Sequence, residues 1–310
     1  MGMAVQSVCC FLPYVWQPHC LLDVCSVTLG KKILKARGEI VRKGLVYLFL
    51  FTYALAIILP LLFIVASSFK NNEEVFTRPF SLPKEWNFQF YYDVWVNYNL
   101  QRYFANSVYY ASVSVVVAVM ICALGAYAIV RLKWRLKRVA FGYFLLGLMI
   151  PSHALVVPLY IMAVKLNMNN PRVTLILIFA ATHVTVTLFI LSGYLKKLPQ
   201  EIEEAAVIDG CSIAGVFFRI VLPIMQPAIA TVAIFSFLSI WNDFFISLIF
   251  IDTQKYWNIQ LGISMFKGSL AARYSHLLVA IVITIIPMIT LYAFLNRRII
   301  AGLTAGAIKA

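Results

Sequence analysis

Asp243 is the one acid that falls inside a long apolar run of this 310-residue chain, and Trp241 and Asn242 stand directly before it. Side chains of these types can pair with hydroxyl groups and offer an aromatic face. They can equally form an interhelical hydrogen bond that fixes a helix bundle. A charge at bilayer depth costs about 2.5–3.5 kcal/mol on insertion scales, so Asp243 should face protein or water. A second polar group lies at 201–210, where Glu201, Glu203, Glu204 and Asp209 flank Ala205, Ala206 and Gly210. Catalytic chemistry has no residues to carry it. There is no G-x-x-x-x-G-K-[ST] phosphate loop, no G-x-G-x-x-G, no H-E-x-x-H and no nucleophile elbow. His153, His183 and His276 have no paired acid and read as packing or hydrogen-bonding residues. No catalytic residue, metal or cofactor is expected.

The elements that position these groups are set by composition. The chain is 62% hydrophobic and 12% charged, with a mean hydropathy of +0.87. Six apolar runs reach the ~20 residues that a bilayer-spanning helix needs: 45–66, 107–130, 139–164, 173–194, 224–250 and 276–295. In lipid each must satisfy its own backbone hydrogen bonds, so each is predicted to be a helix. The fold class is therefore an all-α membrane protein with six transmembrane helices. Pro151 and Pro158 fall inside the third run and Pro287 inside the last. Interior prolines bend helices, either to line a cavity or for packing alone. Residues 69–106 form a long aromatic connection, whose part from 87 to 104 either lies on the membrane surface or caps the bundle.

The net charge of +14 belongs to topology rather than to nucleic acid. Seventeen of the 26 basic residues fall before the first run, in the second and fourth connections, or in the tail. The connection 131–138 alone holds Arg131, Lys133, Arg135, Lys137 and Arg138 with no acid. By the positive-inside rule both termini and the 195–222 connection are cytoplasmic, in a multi-pass protein.

Residues 198–223 read as two short helices. Pro199 suits a first helical turn, and the glutamates sit where a helix dipole favours negative charge. Ile202, Ala205, Ala206 and Ile208 recur at helical spacing as an apolar strip. Asp209–Gly210 ends the helix, with Gly able to turn left-handed. Ser212 can cap a second helix carrying Val216, Phe217 and Ile220. Such an amphipathic element lies on lipid, packs on its own bundle or enters a partner's groove. Its glutamates, in place of the lysines of lipid-surface helices, argue for a protein groove.

From Glu204 to Pro223 the sequence reads E-A-A-x-x-x-G-x9-I-x-L-P, with Ile220, Leu222 and Pro223 closing the pattern. This resembles the coupling loop of membrane subunits in ATP-binding-cassette importers. Ser67–Lys70, Arg102–Ser107, Met149–Pro151, Val157–Tyr160, Trp241–Phe244 and Ala301–Lys309 extend the resemblance over 45–310, to the six-span subunit of the maltose-type carbohydrate-uptake permeases. Cys211 stands where that family often has Ala or Gly.

The resemblance implies a type I importer permease forming half of a path for a mono- or oligosaccharide, in a bacterial or archaeal cytoplasmic (inner) membrane. The implied partners are a second homologous permease, two ABC ATPase subunits and an extracellular or periplasmic sugar-binding protein. ATP would be hydrolysed by the separate ATPase. Gly210 would permit the docking turn, Glu204 and Asp209 would make polar contacts, and Ala205 and Ala206 would allow close packing. Trp241, Asn242, Asp243 and Pro151 become the candidates along the substrate path. The loop 251–275 would probe the binding protein, and the tail would reach between the ATPases. The alternatives are an ABC permease for another solute, such as a glycerol-phosphate, and an ion-driven secondary transporter. The latter predicts several intramembrane acids, and Asp243 is alone.

The expected domains are 1–30 as an atypical N-terminal segment, 31–44 as a basic lead-in, 45–296 as the permease domain and 297–310 as the tail. Residues 1–30 carry no Lys or Arg and match nothing in the family. The natural polypeptide is expected to start near Val27–Leu29, which intact mass from the native locus would test. Cys9, Cys10, Cys20 and Cys25 lie near His19, but their gaps do not fit common zinc spacing.

Overall fold

The computed structural model describes the backbone of residues 19–266 and 273–307, and the side chains of 42–266 and 273–293. The cysteine cluster near His19, Lys31–Arg37 and the tail 301–310 lie outside the described side chains. The described residues are helical and contain no strand. In chain order the helices are α1 His19–Ser67, α2 Asn72–Thr77, α3 Gln89–Tyr92, α4 Leu100–Val130, α5 Lys137–Leu146, α6 Val156–Lys165 and α7 Pro171–Leu195. There follow α8 Glu201–Ile208, α9 Ile213–Val216, α10 Leu222–Ile224, α11 Gln226–Trp241, α12 Phe245–Phe250, α13 Ile259–Ser264 and α14 Tyr274–Ala307.

The chain divides into residues 1–63 and 64–310. The described part of the first unit is residues 19–63 of α1; the helix runs on to Ser67, and its segment Arg42–Ser67 is long and apolar enough to span a membrane. In the second unit α4 packs along α7, and α11 lies against both. Ala111, Ala118, Ala123 and Ala126 of α4 and Phe179, Leu188, Leu191 and Leu195 of α7 are all buried. Small side chains on one helix let the other approach closely, which is what drives association in lipid, where apolar burial itself gains little.

Among the described residues, four helices qualify as spans on their own, or six if each of two bent pairs counts as one. The run expected at 139–164 is one such pair: its halves 137–149 and 152–165 meet at 100°. Ile150 is extended (φ −97°, ψ 117°), as the residue before a proline tends to be, and Pro151 follows it at the break. Pro158 falls in the first turn of α6, where its missing N–H costs nothing. The run expected at 224–250 is also interrupted. Residues 213–224 bend by 71° into α11, and α11 stops at Trp241 before α12 begins. A hydropathy count does not see either bend, because both sides of each are apolar.

The segment before α4 caps the bundle. A five-residue π-helical turn, Asp93–Asn97, leads to α4 at Leu100, ahead of the expected 107. Val94, Leu100 and Tyr103 are buried with Trp241, Ile259 and Val279. Lys70 is fully buried, and its Nζ donates to the carbonyls of Arg78 (3.0 Å) and Pro79 (2.9 Å). Its own carbonyl accepts a bond from Ser275 Oγ at 2.6 Å, which ties this cap to the start of α14.

Candidate functional site

Residues 198–223 fold as a tight loop that one side of the molecule holds and the other leaves open. Helix α8 ends in paired backbone bonds. Cys211 N–H donates to the carbonyl of Ala206 (2.9 Å) and Gly210 N–H to that of Val207 (3.0 Å). Gly210 has φ +86°, so this is the left-handed C-terminal closure that a glycine takes without strain. Ser212 Oγ then accepts from Gly215 N–H at 3.2 Å, capping α9. Pro199 lies outside the helix rather than in its first turn, since Gln200 is the cap residue and Glu201 the first helical one.

The loop is fastened to the end of α4. Arg131 Nε meets Glu203 Oε1 at 2.6 Å, with both side chains largely buried. Arg131 Nη2 donates to the carbonyl of Leu198 at 2.8 Å. The rings of Tyr127 and Phe217 meet at 5.3 Å. Ala206 faces the chain's own core, and Ile220 and Leu222 pack against the same core. The strip expected from Ile202, Ala205, Ala206 and Ile208 is therefore divided. Ala206 points inward, while Ile202, Ala205 and Ile208 are exposed, Ile208 to 85%. Glu204, Asp209, Gly210 and Pro223 are exposed as well, beside Val207 and Ile213. The Arg131–Glu203 pair was invisible in the sequence. Arg131 reads there as one basic residue among five, and the pairing spans 72 positions.

At the far end of α11 the chain lines a cavity of about 700 Å³. Its polar wall comes from the break after α5 (Ser152, His153), from α7 (Thr182, His183, Thr185), from α11 (Ser236, Ser239) and from Asn242–Asp243. The lining contains no Lys or Arg. His183 Nδ1 lies 2.8 Å from the carbonyl of Phe179. A carbonyl only accepts, so Nδ1 carries the hydrogen and a neutral His183 keeps Nε2 as its free acceptor. A Cβ at Gly147 would sit 2.6 Å from Thr185 Oγ1, so the glycine lets the chain close against α7 there.

The four path candidates separate. Asn242 and Asp243 line the cavity; Trp241 and Pro151 do not, although the neighbours of Pro151, Ile150 and Ser152, do. Trp241 is fully buried, edge-on to Phe104 at 5.4 Å and stacked on Phe237 at 5.9 Å. Asp243 also has a structural task. Its Oδ1 accepts from the Ser247 backbone N–H (3.0 Å) and hydroxyl (3.1 Å), which holds the start of α12. Asn258 Nδ2 bonds the Asp243 carbonyl (2.7 Å) and Ser247 Oγ (2.8 Å). His153 and His183, read from the sequence as packing or hydrogen-bonding residues, also line the cavity. A histidine alone in an apolar run carries no signal for that role.

Residues 118–304, more than half of the chain, match the model of the binding-protein-dependent transport system inner membrane component family. The chain belongs to that family. It is 35% identical over 268 residues to the probable ABC transporter permease protein YurM of Bacillus subtilis (strain 168), covering 85% of this chain and 88% of the relative. It is 32% identical over 262 residues to the diacetylchitobiose uptake system permease protein NgcG of Streptomyces coelicolor, covering 84% and 87%. Its fold is similar to a chain in the crystal structure of a bacterial ABC transporter involved in the import of the acidic polysaccharide alginate. The TM-score is 0.73 at 20% identity, covering 92% of this chain and 99% of that one. As an inner membrane component of this kind, the chain is a multi-pass transport subunit rather than an enzyme, and permeases of this family work with ATPase and binding-protein partners.

Proposed function

We propose that this chain is the six-span permease subunit of a sugar importer, forming half of a path for a mono- or oligosaccharide. The observation that carries the choice of solute is the cavity. Its wall of hydroxyls, imidazoles, an amide and one carboxylate, without Lys or Arg, suits a neutral polyol. A phosphate-bearing solute such as a glycerol-phosphate would call for a cationic partner in the wall. The volume falls within the ~300–1,000 Å³ of small-molecule sites. Relatives support the reading: alongside the diacetylchitobiose permease, the melibiose/raffinose/stachyose import permease protein MelC of Bacillus subtilis is 29% identical.

In this reading each bent pair is one span, both termini and the loop 198–223 are cytoplasmic, and the other connections are external. A second homologous permease completes the path. Two ATPase subunits supply the energy, one of them gripping the exposed face of α8. An extracellular or periplasmic binding protein delivers the sugar. Glu204 and Asp209 make polar contacts with the ATPase, with Ile202, Ala205 and Ile208 packing between them. Gly210 shapes the turn, Ala206, Ile220 and Leu222 seat the loop on its own bundle, and Pro223 leads back into the membrane. Asn242 and Asp243 face the sugar. Trp241 and Pro151 act as supports, one by packing and one by breaking the third span.

Uptake of a labelled neutral oligosaccharide by cells carrying the complete system tests this. Uptake should cease on ATP depletion and survive collapse of the ion gradient. The opposite pattern would identify a secondary carrier. Competition by a glycerol-phosphate but not by sugars would overturn the choice of solute.

A further inference from the structure

A second pocket, of about 350 Å³, lies where the ends of α4 and α7 meet the start of α5. Its lining includes Arg131, Lys137, Arg138, Phe141, Lys196 and Gln200, and no acid. The guanidinium of Arg131 is already committed to Glu203 and to the carbonyl of Leu198. Lys137, Arg138 and Lys196 have no carboxylate partner among the described residues. Lys196 Nζ sits 4.7 Å from the centroid of the Phe141 ring, so its charge is held at the pocket wall. Lys137 Nζ reaches only the Leu132 carbonyl, at 3.4 Å.

The placement of two of these cations is locally unfavourable. Lys137 and Arg138 open α5, with no acid in its first turn and no side chain capping it. The N-terminus of a helix disfavours positive charge and leaves its amides free. An anion at that point would offset both the dipole and the mutual repulsion of the cations. The surroundings indicate where the anion comes from. The same segment exposes Leu136 (64%), Val139 (68%) and Tyr143 (73%), and Trp134 at 40%, an aromatic suited to the headgroup level. Three candidate spans have an end here, so an apolar rim surrounds a cationic centre where they would leave the bilayer.

We propose that this pocket binds the phosphate of an anionic membrane lipid, with Lys137, Arg138 and Lys196 contacting the phosphate and the exposed residues of α5 bordering the acyl chains. Lipid binding here would abut the loop 198–223 through Arg131 and Gln200. It does not depend on which solute is carried.

The test uses the full chain in nanodiscs of phosphatidylcholine with or without phosphatidylglycerol, followed by native mass spectrometry. Wild-type protein should retain phosphatidylglycerol. Arg138→Gln and Lys196→Gln should each weaken retention by about fivefold, the contribution of one cation near a lipid surface. Unchanged melting of the variants in pure phosphatidylcholine would show that they remain folded. Equal retention by wild type and by R138Q/K196Q would overturn the proposal. So would inorganic phosphate displacing the lipid mole for mole, which would make the site one for a soluble anion. Lipid retention that is unaffected while binding of the ATPase partner is lost would assign the pocket to an acidic protein surface and overturn it as well. None of these results tests sugar transport.

Discussion

At its first turn α11 receives the chain from the loop 198–223, and at its last turn it delivers Asn242 and Asp243 to the 700 Å³ cavity. The two regions are held in different ways. The loop depends on a charged clasp, Arg131 to Glu203, and turns an outer face of acids and exposed apolar side chains to its surroundings. The break at 242–247 is held by a carboxylate, a hydroxyl and an amide, all facing inward. Between them α11 has 16 residues, about 24 Å of rigid rise. Under the function proposed above, the loop would be the surface that is gripped and the cavity wall the surface that fits the solute, with α11 joining the two.

The comparison breaks most sharply at the clasp. Arg131→Met leaves Glu203 largely buried without its partner and should cost about 3–5 kcal/mol of stability, read by thermal unfolding in detergent. The double substitution Arg131→Met with Glu203→Met should recover much of that loss, whereas additive losses would mean the two side chains act independently. Next comes Gly210→Asp. A Cβ at Gly210 has open space around it, so only the left-handed backbone is disfavoured, by about 1–2 kcal/mol. The protein should still accumulate in the membrane while uptake falls by about tenfold or more. Normal uptake and substrate-stimulated ATPase in that variant would remove the loop from the coupling step.

Ile208→Ser tests the gripped face alone. At 85% exposure it should leave melting within about 0.5 kcal/mol. If the side chain is buried on docking, ATPase affinity should weaken by about tenfold. The smallest effects are expected at the cavity. Asp243→Asn keeps an acceptor for Ser247, so assembly should persist while the preference among sugars shifts. Asp243→Ala loses the cap on α12 at about 1 kcal/mol. Loss of the complex in both variants, with no change in preference, would leave Asp243 a structural role only.

Much of the loop was legible because its signals are local. Asp209–Gly210 encodes a helix stop, Ser212 a start, and both occur where the residue types require them. Helix α7, Pro171–Leu195, contains the whole apolar run read at 173–194. What the sequence did not disclose was long-range or directional. Trp241 is buried because Phe104 approaches from another helix. The end of α11 came early because Asn242 Nδ2 bonds the Leu238 carbonyl and Asp243 bonds forward to Ser247. Short polar side chains thereby compete with the helix for its own backbone. Apolarity predicts that a segment is in the bilayer, and says nothing about whether it crosses straight.

Gly147 has a consequence of its own. One hydrogen in place of a methyl lets two walls of the chamber meet at the Thr185 hydroxyl. An alanine there would crowd the Thr185 hydroxyl, itself part of the cavity's polar wall, so opening the seam also displaces a polar group. Width and polar lining are therefore coupled at this seam: a side chain that changes the bore there also shifts one of the hydroxyls that line it.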